Sequence, residues 1–181
     1  GAGNARLTLG AHANPVTVSN VETITGGSTN DTVTFAVEAD GIVVDLGAGL
    51  DTLIFDATGA TVTVMNVETI TGGGASDLVT FGGQVTGSTV DLAGGNDRLI
   101  LGAWVNTLTV SNVETVTGGA SADTVTLGAQ TTGDRIDLAG GVDTLILGDF
   151  VNTVTVSNTE TVTGGTTNDT VTLGAQATGV T

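Results

Sequence analysis

A unit of 46 residues recurs through this chain without insertion, and no other property limits the possible folds as strongly. Asn20-Val21-Glu22, Asn66-Val67-Glu68, Asn112-Val113-Glu114 and Asn158-Thr159-Glu160 mark the period (20, 66, 112 and 158 are steps of 46). Full units span 15–60, 61–106 and 107–152, with partial units at 1–14 and 153–181, so residues 1–181 read as a single repeat array. A unit of this length cannot bury its apolar face alone and must stack on its neighbours, which points to a solenoid.

The pattern inside the unit selects strands. Apolar residues alternate over short segments, placing Ile24, Val33, Phe35, Val44, Leu46, Leu53 and Phe55 on one inward face. With 29 Gly, one Trp and no Tyr, the core must be built from Val, Leu, Ile, Thr and Ala, residues that suit pleated strands. No 3.6-residue period supports a helix. Each unit holds two glycine turns that run into an aspartate. These aspartates, Asp31, Asp51, Asp77, Asp97, Asp123, Asp143 and Asp169, are separated by alternating steps of 20 and 26 (51 − 31 and 77 − 51). The expected fold is an all-β parallel β-solenoid (β-roll or β-helix) with about two coils per repeat. The longer coil has room for an additional short strand at Val16, Thr17 and Val18 and their equivalents, and Ile54, Ile100 and Ile146 are expected either to be covered by it or to serve as a lateral contact.

Charge narrows the function. Nineteen acidic residues face Arg6, Arg98 and Arg135, for a net charge of −16. That excludes a nucleic-acid partner, which requires a basic footprint, and disfavours anionic membranes. No apolar run approaches a membrane span, and the absence of Cys excludes disulfides and thiolate metal sites. Stacking would place the seven turn aspartates in one ladder along one edge. Asp45, Asp91 and Asp137 would form a second ladder, and Glu22, Glu68, Glu114 and Glu160 a third, spaced at every second coil. At the roughly 4.8 Å between strands, adjacent carboxylates repel by on the order of 1 kcal/mol even at the dielectric of water. Two readings are open. A hard divalent cation, Ca2+, could be held by carboxylate and glycine-turn carbonyl oxygens. Alternatively, the aspartates cap the turns through bonds to backbone N–H groups.

Gly47-Ala48-Gly49-Leu50-Asp51-Thr52-Leu53 has the GxGxDxL form of the haemolysin-type calcium-binding (RTX) repeat, which this part of the chain resembles. Gly94-Gly95-Asn96-Asp97-Arg98-Leu99 and Gly140-Gly141-Val142-Asp143-Thr144-Leu145 keep its later glycine, its aspartate and its apolar residue. The resemblance implies calcium between successive turns, held by Asp51, Asp97 and Asp143 with carbonyls of Gly47, Gly49, Gly94, Gly95, Gly140 and Gly141. It extends to Asp31, Asp77, Asp123 and Asp169, whose turns are one residue longer. The spacing departs from the nine-residue family period, so only one edge would carry the motif. The alternation of NVETxTGG and DTVTxG is also similar to β-strand repeats of bacterial surface and S-layer-like proteins. That likeness implies a secreted or surface-anchored structural or adhesive role, with a surface polysaccharide or the cell envelope as partner.

Other features carry less chemistry. Asn20, Asn66, Asn112 and Asn158 sit where the apolar alternation changes phase, and are expected to form corners whose amides bond coil to coil. His12, Thr58, Trp104 and Phe150 share one variable position. With no Lys and a single His, general acid–base catalysis has no evident actors, so an enzyme is not expected. The alternative functions are an ice-binding solenoid and a calcium module of a secreted polysaccharide-acting enzyme. Against ice, the outward series Thr34, Ile54, Thr80, Ile100, Thr126, Ile146 and Thr172 breaks a hydroxyl lattice with Ile. The chain ends three residues short of four units (4 × 46 = 184), and the expectation is continuation or head-to-tail self-association at both ends.

Overall fold

The computed structural model describes residues 4–37 and 39–174. The expected continuation or head-to-tail association at both ends concerns residues 1–3 and 175–181, which lie outside them. The described chain is all-β. It opens with β1 (Arg6–Thr8). The next 46 residues carry β2 (Pro15–Val18), β3 (Thr23–Thr25), β4 (Thr32–Phe35), β5 (Ala39–Asp45) and β6 (Thr52–Ile54). The third group is β7 (Ala60–Met65), β8 (Thr69–Thr71), β9 (Leu78–Phe81), β10 (Thr86–Asp91) and β11 (Arg98–Ile100). The fourth is β12 (Thr107–Ser111), β13 (Thr115–Thr117), β14 (Thr124–Leu127), β15 (Thr132–Asp137) and β16 (Thr144–Ile146). β17 (Thr153–Ser157), β18 (Thr161–Thr163) and β19 (Thr170–Leu173) complete it.

Odd strands form one parallel sheet and even strands the other, so each coil consists of two strands and two edges. Five strands per 46 residues therefore make two and a half coils, not the two expected from the aspartate spacing. The odd number has a geometric consequence. Equivalent strands of successive repeats, such as β2, β7, β12 and β17, alternate between the sheets. One repeat is carried to the next by a rise along the axis and a half turn about it. The segment Val16, Thr17, Val18 lies in a full rung of the even sheet, paired with β4, and is not a covering strand. Ile54, Ile100 and Ile146 remain on the outer faces, half-buried between neighbouring rungs.

The core fills the space between the sheets. Ile24, Val33, Val44, Leu46 and Leu53 are fully buried, and Phe35 and Phe55 nearly so, as the alternation predicts. Phe35 stacks on Phe55 one coil on, with ring centroids 6.0 Å apart, an offset-stacked distance.

The outer faces differ. On the even sheet the register joins Pro15, Thr32, Thr52, Thr69, Thr89, Thr109, Thr126, Ile146 and Thr163 in one column through successive coils. Beside it run Thr107, Thr124, Thr144 and Thr161 on one side, and Thr17, Thr34, Ile54, Thr71, Asp91 and Ser111 on the other. On the odd sheet the corresponding column reads Arg6, Thr23, Val43, Thr63, Thr80, Ile100, Thr117, Asp137. The series Thr34, Ile54, Thr80, Ile100 is thus not one column, because the half turn divides it between two sheets.

Candidate functional site: the carboxylate edges

The turn aspartates do not line one edge. Asp31 and Asp51 precede even strands, Asp77 and Asp97 precede odd strands, and Asp123 and Asp143 return to the first edge. The half turn splits the expected ladder into pairs on alternating edges. Each pair is extended by a glutamate, Glu68, Glu114 or Glu160, so the glutamates do not form a separate, widely spaced ladder. Asp45, Asp91 and Asp137 lie on β5, β10 and β15, in alternate sheets, and do not form a ladder either.

The rule of assembly is local. At many strand starts the N–H of the first or preceding residue is directed along the solenoid axis with no strand carbonyl to receive it. A side-chain oxygen one coil on accepts it instead. Asn14 N–H donates to Asp31 Oδ1 (3.0 Å), Asp31 N–H to Asp51 Oδ1 (2.6 Å), and Asp51 N–H to Glu68 Oε2 (2.8 Å). The series recurs half a turn away as Ala60 to Asp77 (2.7 Å), Asp77 to Asp97 (2.7 Å) and Asp97 to Glu114 (2.6 Å). It recurs again from Asn106 to Asp123, Asp143 and Glu160. Asn152 donates to Asp169 Oδ1 (3.1 Å). The strand ladder then resumes, with Thr52 N–H donating to the Asp31 carbonyl (2.9 Å).

These bonds determine which oxygens are free. In Asp31, Asp77 and Asp123 the second oxygen accepts the N–H of Gly27, Gly73 or Gly119 at 3.2–3.3 Å, so both oxygens are occupied. In Asp51, Asp97 and Asp143 the second oxygen is buried with no hydrogen-bond partner. Burial pushes all three carboxyls up, Asp97 and Asp143 to about 6. The backbone N–H each accepts works against this rise, and the adjacent Asp and Glu charges add to it. Burial also raises Asp77. Asp134 continues one run on the odd-strand edge, where Arg135 N–H donates to the Glu114 carbonyl (2.9 Å). It is buried, and burial together with the charge of Glu114 lifts it to about 6. The same repeat position holds Ile42 and Ser88 elsewhere, both also buried.

The glycines of the short turns bring the backbone against the preceding coil. Gly49, Gly95 and Gly141 have φ of 153°, 151° and 141°, a region that an L side chain rarely enters. A Cβ at any of them would lie within 2.8 Å of backbone atoms one coil back. Gly47 also has positive φ, at 85°. Gly94 and Gly140 donate their N–H groups to the carbonyls of Gly73 (3.1 Å) and Gly119 (2.9 Å). The donor set offers calcium one open carboxylate oxygen per short turn. A protein cage for that ion takes six to eight oxygens. No grouping of three or more His, Asp or Glu suited to a metal occurs among the described residues.

Two sets of asparagines complete the edges. Asn66, Asn112 and Asn158 adopt left-handed backbone (φ 49–53°) and donate Nδ2–H to Asp45, Asp91 and Asp137 at 2.7 Å. These are the expected coil-to-coil corners. Asn14, Asn106 and Asn152 were not anticipated. Asn106 and Asn152 are fully buried and stand in for carboxylates in the same columns, accepting the N–H of Val85 (3.0 Å) and Thr131 (3.1 Å). Their recurrence at one repeat position, immediately before a strand, was the available signal. A surface groove of about 350 Å³ beside β10, lined by Met65, Phe81, Gln84 and Val85, contains one acid, Glu68, already engaged by Asp51 N–H.

Comparison of the chain with protein-family models, curated proteins and solved structures returns no match.

Proposed function

We propose that this chain is a structural rod segment of a secreted or surface-anchored bacterial protein, built to space or assemble rather than to catalyse. The observation that carries the reading is the half-turn relation between repeats. A rise combined with a rotation is an open operation that never closes on itself. Any number of units therefore stack through the same interface, within one polypeptide or head to tail between copies. The carboxylate edges serve this role by supplying the cross-coil acceptors that hold each turn on the next. A cell-envelope or surface-polysaccharide partner fits such a spacer.

Length is the test. At two and a half coils per repeat and roughly 4.8 Å per coil, each added 46-residue unit should extend the particle by about 12 Å. Small-angle scattering on versions with one, two and four added repeats measures this. A radius of gyration that grows as for a compact globule would overturn the proposal.

A second reading, calcium stabilisation, rests on the orphaned oxygens of Asp51, Asp97 and Asp143. A buried carboxylate oxygen without a partner calls for either a cation or a proton. Under this reading turn carbonyls and water would supply the remaining ligands. Calcium would then raise the melting temperature at pH 7 by binding only the folded rod, and a chelator would reverse the rise. Melting that is the same with and without chelator rejects it.

A further inference from the structure

We infer that the outer face of the even sheet is an ice-binding surface. The reading goes beyond the rod proposal and does not depend on it.

The argument begins with asymmetry. The half turn exposes every repeat position on both sheets in alternate units, so the sequence alone gives the two faces equal standing. They are nevertheless different. Arg6, Arg98 and Arg135, all exposed, lie on odd strands, as do outward Val43, Met65 and Asp137. The even face carries the threonine-rich columns described above, interrupted by Pro15, Ile54 and Ile146, and one acid, Asp91. Departures from the repeat have therefore been sorted by face. Charge lies on one side, while the other keeps a largely threonine lattice of hydroxyl and methyl groups that Ile54 and Ile146 interrupt. That lattice has spacings of roughly 4.8 Å between coils and about 7 Å along a strand.

The chemistry of the face decides the occupant. A protein partner needs large anchors in a desolvated centre, and threonines supply none. Eight rungs from Thr32 to Thr163 and two to three outward columns cover roughly 500–700 Å², below the ~800 Å² per side of a stable complex. A polysaccharide is gripped by aromatic platforms and carboxylate or amide side chains, and these columns hold no aromatic residue. A neutral two-dimensional lattice of hydroxyls with intervening methyls can hold water in register with itself. It matches a surface that is itself ordered water. In a chain of net charge −16, an almost uncharged face is also the one place where charge does not impose its own hydration.

The experiment uses the whole chain, with ice-affinity partitioning and thermal hysteresis as readouts. Thr69→Lys with Thr109→Lys alters the even face, and Thr63→Lys with Thr117→Lys makes the same change on the odd face. All four positions are outward and half-buried, and matched melting curves report that each variant folds. The wild type and the odd-face variant should enter ice, with partitioning of the even-face variant reduced at least tenfold. Wild-type protein excluded from ice, or equal loss in both variants, overturns the inference. So does even-face-dependent retention on chitin or cellulose, or an even-face-dependent dimer in sedimentation, without ice partitioning. Each of these leaves the rod reading, measured by length, intact.

Discussion

A carboxyl group sealed from water with one oxygen unpartnered is more readily held as the acid than as the anion. Asp97 and Asp143 are in this position, with values near 6 against an ordinary 3.8. Because the folded form holds its proton to higher pH than the unfolded form, folding takes up protons between about 4 and 6. The resulting stabilisation is complete below about 4 and is lost as pH rises through about 6. The melting temperature, measured without divalent ions, should therefore rise by a few degrees from pH 7 to pH 5. General relief of the acidic surface acts in the same direction, so a variant separates the two. Asp97→Asn keeps the acceptor for Asp77 N–H and removes the charge, and buried Asn152, before an odd strand on the same edge, shows that the edge accepts an amide. At pH 7 Asp97→Asn should melt at or above wild type, with a shallower dependence on pH. A variant that keeps the full wild-type slope would show that Asp97 does not titrate in this window.

At the scale of the element, corners set the strand ends. Asn66, Asn112 and Asn158 leave their strands in left-handed backbone, which costs Gly little and Ala more. Their amides also bond a carboxylate 21 residues back. The two contributions can be separated at Asn112. Asn112→Gly loses the hydrogen bond alone, at about 1 kcal/mol. Asn112→Ala loses it and adds the backbone cost, about 1–2 kcal/mol more. Chemical denaturation of the two variants measures the difference, and equal losses would show that the left-handed corner is not strained.

For the whole molecule, the half turn makes a prediction about deletion. Removing 61–106 takes out one repeat, two and a half coils, and rejoins equivalent residues. The downstream part should restack after a half turn, giving a shorter rod that still melts cooperatively. It would now carry Arg135 on the even face. Removing 23 residues, the average coil suggested by the aspartate spacing (46/2), should break cooperativity. Neighbouring coils are offset by 17 or 20 residues, so a cut of 23 places turn residues in strand positions and strand residues at the edges. Circular dichroism and calorimetry distinguish the two deletions. A 23-residue deletion that melts as sharply as the 46-residue deletion would count against the register.

The sequence by itself determined the period, the strand type and the inward face. Those properties are local, because Ile24, Val33 or Leu53 alternates with its neighbours whatever the coils do next. It also marked the corner asparagines, since a change of phase in the apolar alternation is visible along the chain. What each aspartate meets was decided only by the tertiary structure. Counting from Asp31 to Asp51 gives a true coil, but the next step of 26 residues crosses one and a half coils and ends on the opposite edge. Spacing along the chain does not reveal the parity of strands between two points, and in a two-sheet solenoid parity determines the side. That parity joined Asp51 to Glu68, left one oxygen of Asp51, Asp97 and Asp143 without a partner, and assembled scattered threonines into one column.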